Sequence, residues 1–271
     1  MRPFLNNASR ILRCTIPPVV TEGYEPKGEY ITIDGLKTCE SFCLHCDRSN
    51  SQIQLDRTGP ADAKHAILII YDIFGFFPQT IQGADILATS DKDRKYQVFM
   101  PDFFEGKPAD ISWYPPDNEE KGKKLGDFFA GPAAPPKTIS RIPKIVDEIN
   151  SKHSAISAWG ILGFCWGGKV TNLSSTEGTK FKAAVAAHPA MVDPADAPKV
   201  TIPFLMLPSK DEDKEAVKSW QQGLKVKGHV EPFDDQIHGF MAARSNLSDA
   251  RVKEEYTRGY KTVLSWFHEN L

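Results

Sequence analysis

The middle of the chain is marked by continuous apolar runs rather than alternating ones. Residues 66–71 (AILIIY), 97–100, 158–162, 183–187 (AAVAA) and 203–208 each read as a short strand with no polar face. A strand with that pattern is covered on both sides, as in a parallel sheet. Residues 29–33 alternate and predict an early strand, and residues 230–233 are strand-like. Between these runs the spacing predicts helices near 80–90, 118–129 and 138–151, then after Gly168, near 213–225, and over an amphipathic 249–270. A Pro-rich break at 132–136 separates the second and third of these. Strands alternating with helices imply an α/β class: a mostly parallel central sheet with helices on both faces. No repeat and no linker divides the chain, so residues 1–271 are expected to form a single domain.

Chemistry enters at residues 163–168, Gly-Phe-Cys-Trp-Gly-Gly, which directly follow an apolar run. A strand entering a glycine-flanked turn, with a nucleophile at its tip, is similar to the nucleophile elbow of α/β-hydrolases, here with cysteine for serine. Side chains two positions either side of so sharp a bend would collide, and Gly163 and Gly167 remove them. Such enzymes carry nucleophile, acid and base in that chain order. Downstream of Cys165, an acidic stretch, Asp211-Glu212-Asp213, follows the 203–208 strand, with Asp211 nearest the strand end. His238 follows the 230–233 strand. All three candidates then fall at carboxyl ends of strands, where open parallel sheets place their chemistry. His188, after the 183–187 strand, is a candidate for lining the pocket. The Pro-, Gly- and aromatic-rich stretch 103–117 reads as a pocket-lining loop.

Composition removes other classes. A net charge of -2 gives no field for nucleic acid or an anionic membrane, and no apolar run approaches a membrane span. Five cysteines in 271 residues do not make a disulfide framework, which fits a reducing compartment, and a cytoplasmic location is expected. Arg2, Arg10 and Arg13, with no acid before Glu22, resemble an organelle transit peptide and make a mitochondrial location the alternative. Cys39, Cys43, His45 and Cys46 have no second ligand pair nearby, so no metal is expected. Residues 39–58 break the surrounding pattern and read as an irregular insert, native to this lineage or retained from an unspliced message.

Residues 71–75 (YDIFG), 100–104 (MPDFF), 163–169 (GFCWGGK), 188–190 (HPA) and 238–240 (HGF) together resemble the dienelactone hydrolase family, its fungal members above all. The resemblance runs from about residue 17 to the end, apart from 39–58. It implies carboxymethylenebutenolidase-like hydrolysis of lactones or small esters (EC 3.1.1 class) without a cofactor. The partner would be a small-molecule lactone or ester, and the protein a monomer or homodimer. Carried over by motif, Cys165 is the nucleophile, Asp211 the orienting acid and His238 the base. The resemblance further implies that the N–H groups of Ile73 and Trp166 would form the oxyanion hole, and that Asp72 would match the carboxylate that contacts the resting thiol in bacterial members. Bacterial relatives hold an acidic substrate with two arginines. Here the nearest basic candidates, Lys107 and Arg244, lie off that spacing. A non-catalytic chain of the same fold, binding a small molecule or protein partner, is the alternative function.

Overall fold

The computed structural model describes residues 14–33, 36–39 and 59–271. Eight strands form one sheet: β1 (Glu29–Ile33), β2 (Leu36–Cys39), β3 (His65–Ile70), β4 (Tyr96–Pro101), β5 (Ala158–Phe164), β6 (Ala183–Ala187), β7 (Phe204–Leu207) and β8 (Gly228–Val230). Their order across the sheet is β1-β2-β4-β3-β5-β6-β7-β8. The six from β4 to β8 run parallel, and β1 and β2 add an antiparallel hairpin on the β4 edge. The apolar runs explain the centre. Every residue of β6 and β7, and all of β3 and β5 but the first residue of each, is buried. Only side chains without polar groups can be covered on both faces at no cost.

Among the described residues six α-helices flank the sheet: α1 (Pro78–Thr89), α2 (Glu119–Ala130), α3 (Pro135–Lys152), α4 (Trp166–Ser174), α5 (Lys214–Gly223) and α6 (Ala250–Asn270). The break at 132–136 is resolved by chemistry: the prolines at 135 and 136 occupy the first turn of α3, where a missing N–H costs nothing. Residues 14–27 lie along α1. Gln82 accepts from the Val20 N–H and donates back to its carbonyl, and the Tyr24 hydroxyl donates to Asp85.

Two boundaries depart from expectation. Cys39 closes β2, with Tyr30 on one side and Met100 on the other, instead of opening an insert. Four residues are too few for a two-residue period to register. The helix after the elbow begins at Trp166 rather than beyond Gly168. The rest of 39–58, with Cys43, His45 and Cys46, lies outside the described residues, as does the arginine-bearing terminus. Among the described residues no helix is long and apolar enough to cross a membrane, and no His, Cys, Asp and Glu cluster could hold a metal ion.

Candidate active site

Strand β5 ends at Phe164 and α4 begins at Trp166, so Cys165 makes the whole turn. It does so in the left-handed region, at φ 54° and ψ -116°, a strained setting for a residue with a Cβ. Three backbone hydrogen bonds hold it there. The Cys165 N–H donates to the Ala187 carbonyl at 3.1 Å, and the Cys165 carbonyl accepts from Gly168 and Ala190 at 2.9 Å each. The glycines are obligatory for packing. A Cβ on Gly163 would lie 1.9 Å from the Gly167 carbonyl oxygen, and one on Gly167 would lie 2.1 Å from that of Ile70. The elbow is thus pressed against the end of β3.

Ile73 lies three residues past β3, and Trp166 is the first residue of α4. Among the described residues, neither the Ile73 N–H nor the Trp166 N–H donates to a protein acceptor. The Ile73 carbonyl is fixed by the Ala109 N–H at 2.9 Å, and the Trp166 indole by the Ala133 carbonyl at 2.7 Å. The N-terminus of α4 adds a positive field at the same place.

His238 lies on the loop after β8. Its Nδ1 is 2.6 Å from Glu212 Oε1. Glu212 is buried, and its second oxygen accepts from the Ser209 N–H. The carboxylate on the imidazole is therefore that of Glu212, where the sequence reading placed Asp211. Asp211 Oδ2 instead accepts from the His238 backbone N–H at 2.8 Å, so Asp211 holds the loop and not the ring. Asp213 does a third job, capping α5 by accepting from the Glu215 and Ala216 N–H groups. The turn decides between them. Asp211 and Asp213 face solvent, and Glu212, of opposite phase, faces inward. That parity, together with the helix-capping position of Asp213, was the signal available in the sequence.

Burial works to lower the His238 pKa. The neighbouring Cys165 sulfur and the Glu212 carboxylate outweigh it and raise it to about 11. The imidazole is thus favoured as a cation.

Asp72 differs from expectation. Its carboxylate is turned onto two backbone donors, the Phe74 N–H at 2.9 Å and the Ala243 N–H at 3.2 Å, rather than onto the thiol. Burial raises its pKa to about 6. His188 was expected to line the pocket, but it is completely buried. Lys107 is exposed. Arg244 donates to the His238 carbonyl at 2.6 Å, and its guanidinium stacks 4.5 Å above the Tyr114 ring. It thereby joins the His238 loop to the aromatic loop after β4.

The model of the dienelactone hydrolase family matches residues 57–271 of this chain. The chain belongs to the dienelactone hydrolase family. An uncharacterized AIM2 family protein of Schizosaccharomyces pombe is 35% identical over 214 residues, covering 77% of this chain and 84% of the relative. A carboxymethylenebutenolidase homolog of Mus musculus is 26% identical over 222 residues, covering 78% and 84%. Among solved structures, the dienelactone hydrolase of Anabaena variabilis superimposes with a TM-score of 0.60 at 13% identity, over 91% of this chain and 98% of that one, a likeness of fold. This member of the family therefore has the hydrolase fold that its elbow and family resemblance implied, built on the parallel sheet that its apolar runs implied.

Proposed function

We propose that this chain is a cysteine-dependent hydrolase of lactones or small activated esters, working through a thioester intermediate and needing no cofactor. The observation that carries this reading is the His238 ring, held between the Cys165 sulfur and the buried Glu212 carboxylate. A thiolate is the nucleophilic form of cysteine, and an imidazolium beside it stabilises that form at neutral pH.

In the proposed cycle the Cys165 sulfur attacks the substrate carbonyl carbon, and the carbonyl oxygen becomes an oxyanion. The Ile73 and Trp166 N–H groups, both without an acceptor in the protein, donate to it. The carbon–oxygen bond to the leaving group breaks, and His238 gives its proton to that oxygen. In a lactone the leaving oxygen stays attached to the acyl group. Neutral His238 then takes a proton from water. The hydroxide adds to the thioester, and the sulfur leaves as thiolate. Throughout, Glu212 fixes the ring so that Nδ1 keeps its proton and Nε2 does the exchange. Asp211 and Arg244 hold the backbone of the base from opposite sides.

The neighbourhood also supports uncharged acyl groups. Arg244 is engaged with the His238 carbonyl and Tyr114, and Lys107 points into solvent. The deciding experiment is a panel of p-nitrophenyl esters and small lactones, assayed with the wild-type chain and Cys165→Ala. Turnover by the wild type and its loss in the variant are expected. Full activity in Cys165→Ala would refute the mechanism.

A further inference from the structure

His188 is the residue after β6, in the left-handed region at φ 37°, and its N–H donates to the Leu207 carbonyl at 2.7 Å. It falls between the two residues that grip the nucleophile, since Ala187 accepts from the Cys165 N–H and Ala190 donates to its carbonyl. Its ring is inaccessible to solvent. It stacks on Phe164 with centroids 5.8 Å apart, meets Phe240 at 5.6 Å, and meets the His238 ring at 5.2 Å and an interplanar angle of 67°. Neither ring nitrogen has a hydrogen-bond partner among the described residues.

For stability alone this is a poor choice. Phenylalanine would fill the same aromatic slot, whereas each unpaired buried polar group is destabilising. Among its ring contacts in the described residues, the neighbour for which an imidazole and a phenyl ring differ most is His238. We propose that His188 is a positioning residue for His238: its uncharged ring walls the base into line with Cys165 and Glu212, and presents a nitrogen lone pair to the imidazolium. The inference rests on Cys165 and His238 working as a nucleophile–base pair.

The charges around both rings agree. Burial first, then the positive charges of His238 and Arg244, hold the His188 pKa well below that of a free imidazole, so it is neutral when His238 is charged. Around His238 itself stand Cys165 on the elbow, Glu212 and Asp211 after β7, Asp72 after β3, and Arg244 beyond its own loop. His188 is thus an uncharged ring set among ionisable groups. A second cation in its place would expel the proton from His238.

The test is the rate of Cys165 alkylation by iodoacetamide from pH 5 to 10, in wild type, His188→Phe and His188→Gln, with thermal unfolding alongside. His188→Phe is expected to melt at or above the wild-type temperature, yet to alkylate about tenfold more slowly at pH 6, its acidic limb moved up by about one pH unit. His188→Gln, which keeps an acceptor, is expected to move less. A His188→Phe profile superimposable on wild type would overturn the proposal. A measurement on the unmutated chain decides the matter without any variant. In nitrogen NMR, His188 should stay a neutral tautomer from pH 5 to 9, and its signals should shift when Cys165 is alkylated. A protonated His188 at pH 7, or signals indifferent to alkylation, would also overturn it. Neither readout needs an ester. A moved profile without turnover refutes the hydrolase reading alone, and turnover with an unmoved profile refutes this inference alone.

Discussion

Replacing Glu212 by glutamine separates the two acids most sharply. Both Glu212 oxygens face donors: His238 Nδ1 at 2.6 Å, and the Ser209 N–H. A glutamine amide has one oxygen and one NH2 group, so in either orientation a donor is driven against a donor. If the NH2 faces the ring, Nδ1 must become the acceptor, the proton moves to Nε2, and the base is already occupied when substrate arrives. If it faces Ser209, a buried N–H loses its acceptor. The ion pair is nine-tenths or more shielded on the acid side, with the Glu212 side chain 4% exposed. Losing a charge-assisted hydrogen bond there costs about 1.5–3 kcal/mol, or roughly 10–10² in rate. The wrong tautomer adds to this, and the equivalent exchange in a Ser-His-Asp triad costs about 10⁴. Glu212→Gln should therefore lower kcat/KM for an activated ester by about 10²–10⁴. Asp211→Asn keeps an oxygen for the His238 N–H at an exposed position, and should cost under about tenfold. Steady-state hydrolysis of p-nitrophenyl acetate by both variants is the assay. If Asp211→Asn proved the more damaging, or Glu212→Gln stayed within tenfold of wild type, the assignment of the acid would be wrong.

Other outcomes follow from the same geometry. Gly163→Ala places a Cβ 1.9 Å from a backbone oxygen that cannot yield, so urea unfolding should show a loss of about 3 kcal/mol or more, or no soluble protein. Asp72 is raised by burial to about 6, so the folded chain keeps a proton that the unfolded chain releases above pH 3.8. Wild-type stability should thus fall, relative to Asp72→Asn, by on the order of 3 kcal/mol as pH rises from about 4 to 6, and parallel stability curves would contradict this. Lys169 is paired with buried Asp196 at 2.6 Å, its own side chain 16% exposed. Asp196→Ala should therefore destabilise by about 3 kcal/mol in denaturant melts, more than Lys199→Ala, whose side chain is 60% exposed.

The parallel sheet was legible because burial on both faces leaves a plain mark: an unbroken apolar run can be read without knowing its neighbours. The elbow was legible because a bend with its backbone this close to other backbone admits only glycine at Gly163 and Gly167. What was harder to read was set by direction rather than composition. Asp211, Glu212 and Asp213 are chemically near-identical, and a turn closed by the Asp211 N–H on the Ser209 hydroxyl decides which one faces the ring. His188 continues an apolar strand, so its complete burial was implied by its neighbours, yet a polar residue at a strand end suggested a pocket wall. Asp72 was carried over from a resemblance, and the Phe74 and Ala243 N–H groups claim it instead.

The three backbone hydrogen bonds on Cys165 have a consequence for inhibitors. Tethered by both amide and carbonyl, the backbone fixes the Cα–Cβ direction and leaves the sulfur only rotation about that bond, so a covalent ligand must itself supply most of the approach trajectory. Rigid warheads should separate into fast and inert according to the angle they present, while flexible ones of equal intrinsic reactivity should all label the protein.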